Sequence, residues 1–435
     1  MATKNDLCAT ATVSTLANSD YIFVDIDGKV RRIKVADFVK AIELRKLDLR
    51  TYAWGVPIKQ ALQSSQEWGV IGNTTLRDSY LSKVGRYLLT NSGKAAKCSA
   101  TNSTKFADGT AVDQSKGHMM TIGPTLYYEV EMSDAYGCPV LWMSEYPISR
   151  HCIENPCYGC FQGYNRDGKL TSISGVVPTA SQTIAQFWNL AQANGTMFGL
   201  CDYENAFKWF TMLQLSKFGN PNVQTKIGYG VGGSQPLDLW ATAQKLTTGA
   251  TLSLGDACGA IPIEVVNGSI TGVNCSHVSL FGIEDLWNLR YEMIQGIYFG
   301  NSGNVGQDGS ECFIYNENRM PTSAELSSHP TCPYRKIYRP SGSGYVSEMQ
   351  LGENFDLIAK AMSGSSTSYW GDSQYHSNTT GQLCLAFASA NYGSYAGAVL
   401  VYSNFGFSYA ASSYGARLAF FGKPVIVTGA ELMGS

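Results

Sequence analysis

Residues Ala361 to Phe420 read AMSGSSTSYWGDSQYHSNTTGQLCLAFASANYGSYAGAVLVYSNFGFSYAASSYGARLAF. As far as Ala416 this stretch carries one formal charge, Asp372, in 56 residues; Ser, Tyr, Gly and Ala supply 35 of them, seven being Tyr. Tyr mixed with Ser and Gly suits recognition. The ring offers rigid contact area with a polar tip, and Ser, Gly and Asn supply adaptable hydrogen bonds. The plain alternative is a Gly/Ser-rich linker or prion-like tract. Against it, Leu385, Phe387, Val399 and Val401 are placed to bury one face of strands. The expected ligand-contacting residues are Tyr369, Tyr375, His376, Asn391, Tyr392, Tyr395, Tyr402, Asn404, Phe405, Phe407 and Tyr409. Some alternate with small residues and should share one face of short strands.

Outward from this stretch, a chain of 435 residues exceeds one typical core, so two or three domains are expected. It is 44% hydrophobic and 15% charged, with 45 Gly and 25 Tyr, a balance that favours short strands and turns over long surface helices. A net charge of −2 gives no general drive toward nucleic acid or anionic membrane. No apolar run approaches the ~18 residues of a membrane helix. The start, MATKNDLCATATVS, lacks the apolar core of a secretory signal, so synthesis in a cytosol is expected.

Residues 20–35 read as a β-hairpin: Ile22, Val24 and Ile26 alternate, Asp27-Gly28 is a type I′ turn signal, and Val30, Ile33 and Val35 return. A short helix should follow, with Phe38, Val39 and Ile42 at helical spacing. The basic residues clustered here fit a solvated face better than a nucleic-acid patch. Residues 51 to 125 look mixed and β-rich, and a larger domain is expected from 126 onward. Inside it, Ile184, Phe187, Trp188 and Ala191 make one helical stripe; Asp202 caps a second helix lined by Phe207, Phe210 and Leu213 and stopped by Gly219. Beyond residue 220 the pattern is that of an irregular α+β fold.

Motifs that suggest chemistry fail on their details. Gly163 to Lys169 has the spacing of a phosphate-binding loop, but Leu170 stands where a magnesium ligand is required, and Asp167-Gly168 reads better as a hairpin turn. Gly228 to Gly233 matches GxGxxG with no long apolar strand before it. The five His are dispersed, and no nucleophile constellation emerges. Carboxylate neighbours such as Glu284-Asp285 invite comparison with glycoside cleavage, which needs two acids across a cleft. Among twelve Cys, one cluster, His151-Cys152 with Cys157 and Cys160, leaves zinc, a local disulfide or plain thiols open.

Two segments carry a resemblance. Phe281 to Gly296, FGIEDLWNLRYEMIQG, resembles the GN-x-W-E-W segment of the formylglycine-generating-enzyme-type C-type lectin fold, and Gly415 to Phe420, GARLAF, resembles its closing G-F-R-L strand. The helical pair at 181–218 sits where such domains carry theirs. With a Tyr/Ser/Gly tract before G-x-R-L, the chain resembles the variable proteins of diversity-generating retroelements, which include phage tropism determinants that bind host surfaces. Adenine-directed mutagenesis of Asn codons in that family reaches Tyr, Ser, Gly, Asp, His, Ala, Phe and Val, but not Lys, Glu, Gln, Met or Trp. From Tyr375 to Ala416 there is no Lys, Glu, Met or Trp, and Gln382 is the single Gln. The departures matter too. Cys384 alone follows Cys332, where the enzymes of this fold use a Cys pair, and the calcium triplets of sugar-binding lectins are broken at Leu237 and Leu289.

The resemblance implies an α+β chain with three parts: a small hairpin-helix virion-attachment and oligomerisation unit at 1–50, an intermediate β-rich domain at 51–125, and a C-type-lectin-like domain at 126–435 with its variable tract at 369–416. The implied protein is a homotrimeric phage fibre of the virion, made in the bacterial host cytoplasm. It would bind a host-cell surface receptor, protein or glycan, and other virion proteins through residues 1–50. No catalysis, cofactor, metal, nucleic acid or membrane insertion is expected. The alternatives are a capsid decoration protein without a receptor role and a virion polysaccharide depolymerase.

Overall fold

The two helices foreseen from periodicity organise everything around them. The computed structural model describes residues 21–26, 29–34, 49–59, 68–234, 245–263, 266–267, 270–271, 274–300, 311–328, 335–377 and 381–434. The first helix, Ile184–Gln192, opens with a capping box: the Thr183 hydroxyl accepts from the Gln186 amide, and the Gln186 side chain accepts from the Thr183 amide. Its Ile184, Phe187 and Ala191 are buried, as the stripe predicts.

In the second, the Asp202 carboxylate caps a π-turn at Tyr203–Phe207 that runs into the helix Lys208–Phe218, and Gly219 at φ 55° ends it. Here the sequence reading needs correction. Every side chain from Lys208 to Ser216 is buried, not one stripe. A helix enclosed on all sides is a central one, and three sheets meet on it. Trp54 of the first sheet donates from Nε1 to the Ser216 hydroxyl at 2.8 Å, while the Phe210 ring lies 5.5 Å from Tyr158 of the second and 6.1 Å from Phe387 beside the third.

The first sheet runs His151–Ile153, Leu126–Ser133, Cys138–Ser144, Trp54–Pro57, Ile71–Gly72. The second runs Phe198–Leu200, Leu418–Phe420, Cys157–Gly159, His118–Ile122, Gly85–Leu89, Lys94–Ser99, Val425–Val427, with Asn102–Phe106 beside Lys94–Ser99. Both cross the boundary expected near residue 125. Strands on its two sides share hydrogen bonds, so the described strands at 54–57 and 71–122 complete sheets of the larger body instead of forming a separate intermediate domain. The third sheet runs Arg335–Tyr338, Glu311–Ile314, Tyr291–Phe299, Gln382–Ala386, Val401–Ser403, Ser373–His376, Gly342–Tyr345, with Tyr414–Gly415 parallel to Tyr291–Phe299. At 18% helix and 36% strand the class is α+β.

At the N-terminus, Tyr21–Ile26 pairs antiparallel with Lys29–Lys34 in a register that sets Ile26 opposite Lys29, as the alternation predicts. The turn at 27–28 and the helix expected at 36–46 lie outside the described residues. Tyr164–Arg166 and Lys169–Thr171 form the second foreseen hairpin, with Asp167 at φ 54° and Gly168 at φ 81°.

Candidate functional site

The third sheet turns the Tyr/Ser/Gly tract into a surface by simple alternation. Ser373–His376 and Val401–Ser403 run parallel with Gln374 opposite Val401, Tyr375 opposite Tyr402 and His376 opposite Ser403. Side chains of a strand alternate between its faces, so one set points inward and the other outward. Gln374, His376, Val401 and Ser403 are buried; Tyr375 and Tyr402 are half-exposed and stack at 4.7 Å.

From this pair the aromatic face spreads both ways. Tyr395, on a one-turn 3-10 segment, stacks on Tyr345 at 4.9 Å. Phe405 stacks on Tyr409 at 4.2 Å and meets Tyr414 at 5.6 Å. Tyr291 forms the floor, 5.4 Å from Tyr392, 5.5 Å from Tyr402 and 5.7 Å from Tyr414. Two clefts open here. One, of about 380 Å³, lies among Tyr291, Asn391, Tyr392, Tyr402, Phe405, Tyr409 and Tyr414. The other, of about 420 Å³, lies among Ser373, Tyr375, Tyr392, Tyr395 and Tyr402. They share Tyr392 and Tyr402, and no charged side chain among the described residues lines either. Burial, with neighbouring tyrosines adding, pushes the hydroxyls of Tyr291, Tyr402 and Tyr414 up, so these three stay uncharged in ordinary buffers.

Of the residues expected at a ligand surface, Tyr375, Asn391, Tyr392, Tyr395, Tyr402, Phe405 and Tyr409 line these clefts, and Asn404 hydrogen-bonds Tyr402. Three do not belong to the clefts. His376 is a correction: it is 1% exposed, with Nδ1 3.0 Å from the Ser403 hydroxyl and Nε2 3.0 Å from Gln374 Oε1. Alternation turns it inward, and burial, with Arg339 adding, lowers its pKa to about 3. Tyr369 packs toward the central core, and Phe407 packs against the Tyr298–Phe313 cluster. The sequence reading missed Tyr291, Tyr345 and Tyr414. Tyr414 sits inside the tract and shares its composition. Tyr291 and Tyr345 come from distant segments with no local signal.

Beneath the face, Asp372, the tract's one charge, is fully buried. Its carboxyl accepts from Gln224 Nε2 at 3.1 Å and from the Val399 amide at 2.9 Å. Burial raises its pKa to about 8. The backbone at Gly397 approaches so closely that a Cβ there would meet Asp372 Oδ1 at 1.9 Å, which requires glycine. The residues Leu385, Phe387, Val399 and Val401 are all buried, as the strand reading expects. Deeper still, Arg417 forms an ion pair with Glu292 at 2.6 Å, both wholly buried. Its other donors reach the carbonyls of Gly159, Cys160 and Glu284 at 2.8–3.0 Å.

A second groove, of about 390 Å³, lies between the start of the buried helix and residues 315–318, lined by Glu154, Asn155, Asp202, Asn205, Asn316 and Asn318 among others. Burial raises the Asp202 pKa to about 6, a value suited to a catalytic acid. Its oxygens are nonetheless taken by the Asn205 and Ala206 amides and by Asn205 Nδ2 at 2.6 Å. Asn205 also donates to Asn316, and Asn318 bridges Trp188, Thr196 and Phe198. This groove is a helix cap with its braces.

His151, Cys152, Cys157 and Cys160 do not gather into a ligand set: the cysteines are free thiols, and burial pushes all three up. No helix among the described residues is long and apolar enough to cross a membrane. No protein-family model matches this chain, and no curated protein matches it either.

Proposed function

We propose that this chain is a virion protein of phage-fibre type that binds a host-cell surface through the uncharged aromatic face of its C-terminal tract. One observation carries the reading. Seven of the eleven tract residues expected to touch ligand, scattered from Tyr375 to Tyr409, line two adjoining clefts. Their composition is what diversification of Asn codons produces, and the inward residues between them keep the sheet intact while the outward ones change. The lectin-like assignment draws support from the buried pairing of Glu292, in the segment that resembles the fold's aromatic motif, with Arg417 of the closing segment, just before the strand Leu418–Phe420. Binding proceeds without turnover. Homotrimers would multiply modest single-site affinity, and residues 1–50 would anchor the protein to the particle.

The deciding experiment is to sequence the surrounding locus. A reverse transcriptase and a near-copy of the 369–420 coding segment that differs mainly at adenines are the expected findings; a lone gene with no template copy sinks the diversification claim. Independently, purified protein should bind the host surface and release no oligosaccharide from it. Release of sugar fragments would instead establish the depolymerase alternative.

A further inference from the structure

The polar groups of the two clefts are all of one kind. Besides tyrosine hydroxyls, the first cleft offers Ser389, Asn391 and Ser413, and the second offers Ser343 and Ser373. Gln374 also borders the second, but its amide turns inward to the Leu357 and Val399 carbonyls and to His376. Charge stays out of reach. Asp372 lies beneath the sheet, held by Gln224 and the Val399 amide. Arg290, next to Tyr291 in sequence, is 2% exposed and donates to the Ser412 carbonyl at 2.7 Å. A charged ligand group entering either cleft would leave water and meet no counter-charge, which is costly.

The hydroxyls also gather. Those of Tyr291, Tyr392, Tyr402 and Tyr414 lie near enough to affect one another's ionisation. A hydroxyl both donates and accepts, so such a cluster matches ligand groups that do the same. The Tyr291 hydroxyl, in a residue 4% exposed, meets no partner at hydrogen-bonding geometry, which leaves the cluster one partner short. Asn391 is oriented as well: its Oδ1 accepts from the Ser389 hydroxyl at 2.7 Å, so Nδ2 remains to donate to a ligand.

Neutral sugars answer this description. A pyranose ring has an apolar C–H face that lies flat on an aromatic ring and a rim of hydroxyls that donate and accept. Clefts of about 380 and 420 Å³ are sized for compact groups, within the roughly 300–1,000 Å³ of small-ligand pockets. A protein partner would instead cover a broad patch of roughly 800 Å². The shared wall of Tyr392 and Tyr402 sets the two clefts side by side, as successive residues of one saccharide chain require.

We infer that the aromatic face recognises a neutral glycan, with two neighbouring sugar residues in the adjoining clefts. This rests on the receptor-binding reading above and narrows its ligand to an uncharged polysaccharide.

The test offers the labelled full chain to host cells under treatments that separate the sources of the ligand. One portion of cells is digested with proteinase K, and another is oxidised with periodate, which cleaves the vicinal diols of sugars. Polysaccharide purified from the same cells serves as the soluble probe and competitor. Binding should survive protease, be lost after periodate and be competed by the polysaccharide. With no charges pairing across the face, affinity should change less than about twofold between roughly 0.05 and 0.5 M salt. Tyr392→Ala removes a ring common to both clefts and should weaken polysaccharide binding at least about tenfold. Asn391→Ala, at an exposed position, should weaken it several-fold with an unchanged thermal midpoint. Binding lost to protease but spared by periodate would assign a protein receptor and overturn this inference, leaving the receptor-binding reading intact. A steep fall in affinity with salt would overturn it equally, by requiring a charged ligand. No binding to untreated cells would refute the receptor-binding reading itself, and this inference with it. Should Tyr392→Ala fail to fold, the wild-type treatments and Asn391→Ala decide.

Discussion

The two largest recesses described above differ in how their polar groups are used. In the groove by the buried helix, Asp202, Asn205, Asn316 and Asn318 hydrogen-bond one another or the backbone, so each side chain holds structure in place. On the tract's face, Tyr375, Tyr402 and Phe405 stack in a row and Tyr395 stacks on Tyr345, while Gln374, His376, Val399 and Val401 secure the sheet from behind. A face whose folding work is done by its inward neighbours can change its outward residues cheaply. A groove made of interlocked caps cannot.

The sharpest way to break that contrast is to attack what lies beneath the face. Arg417→Met leaves Glu292 charged, buried and unpaired, which typically costs about 3–5 kcal/mol. Urea denaturation should show a loss of that order, and a loss below about 1 kcal/mol would mean that the ion pair is not the anchor described. On the face itself, Tyr402→Ala removes the ring shared by both clefts. We expect a loss of about 2 kcal/mol in host-surface binding, roughly 30-fold in Kd, with the urea midpoint moving far less than in Arg417→Met. Equal damage to folding and binding would erase the distinction between face and support.

The groove offers the reverse case. Asp202→Ala removes a helix cap and should cost about 1 kcal/mol, whereas Asp202→Asn, an equally good cap, should be near neutral. Loss of host binding in folded Asp202→Asn would make the groove a functional site after all.

The remaining effect is in the pH dependence. Asp372 has a folded pKa raised to about 8, so the folded state holds a proton that the unfolded chain releases above about 4, and stability falls as pH rises through that window. His376, lowered to about 3, acts in the opposite direction: its stability is present above about 6.5 and lost as pH falls below it. The two oppose each other between about 4 and 6.5, which leaves Asp372 to act without His376 from about 6.5 to 8. Asp372→Asn should flatten the decline in thermal midpoint between those values. An unchanged slope would assign it to other groups.

Local pattern determined a good deal of this protein. The hairpin at Tyr164–Thr171, the strand pairing at residues 21–34, the helix starts at Thr183 and Asp202 and the stop at Gly219 all follow from turn, cap and period signals that act within a few residues. The tract's composition likewise marked seven cleft residues, because solvent-facing aromatics among small residues are unusual in any context. Tertiary structure decided the rest. His376 and Tyr375 are adjacent and similarly polar, and only the pairing of their strand with Val401–Ser403 sets which one faces inward. The helix Lys208–Phe218 is enclosed because strands from residues 54–57, 157–159 and 382–386 converge around it, contacts between distant segments that no local period encodes. For the same reason the boundary at 125 dissolved and Tyr291 became the floor of a cleft. Each depends on which distant strands pair, and that is settled by burying the whole apolar surface at once.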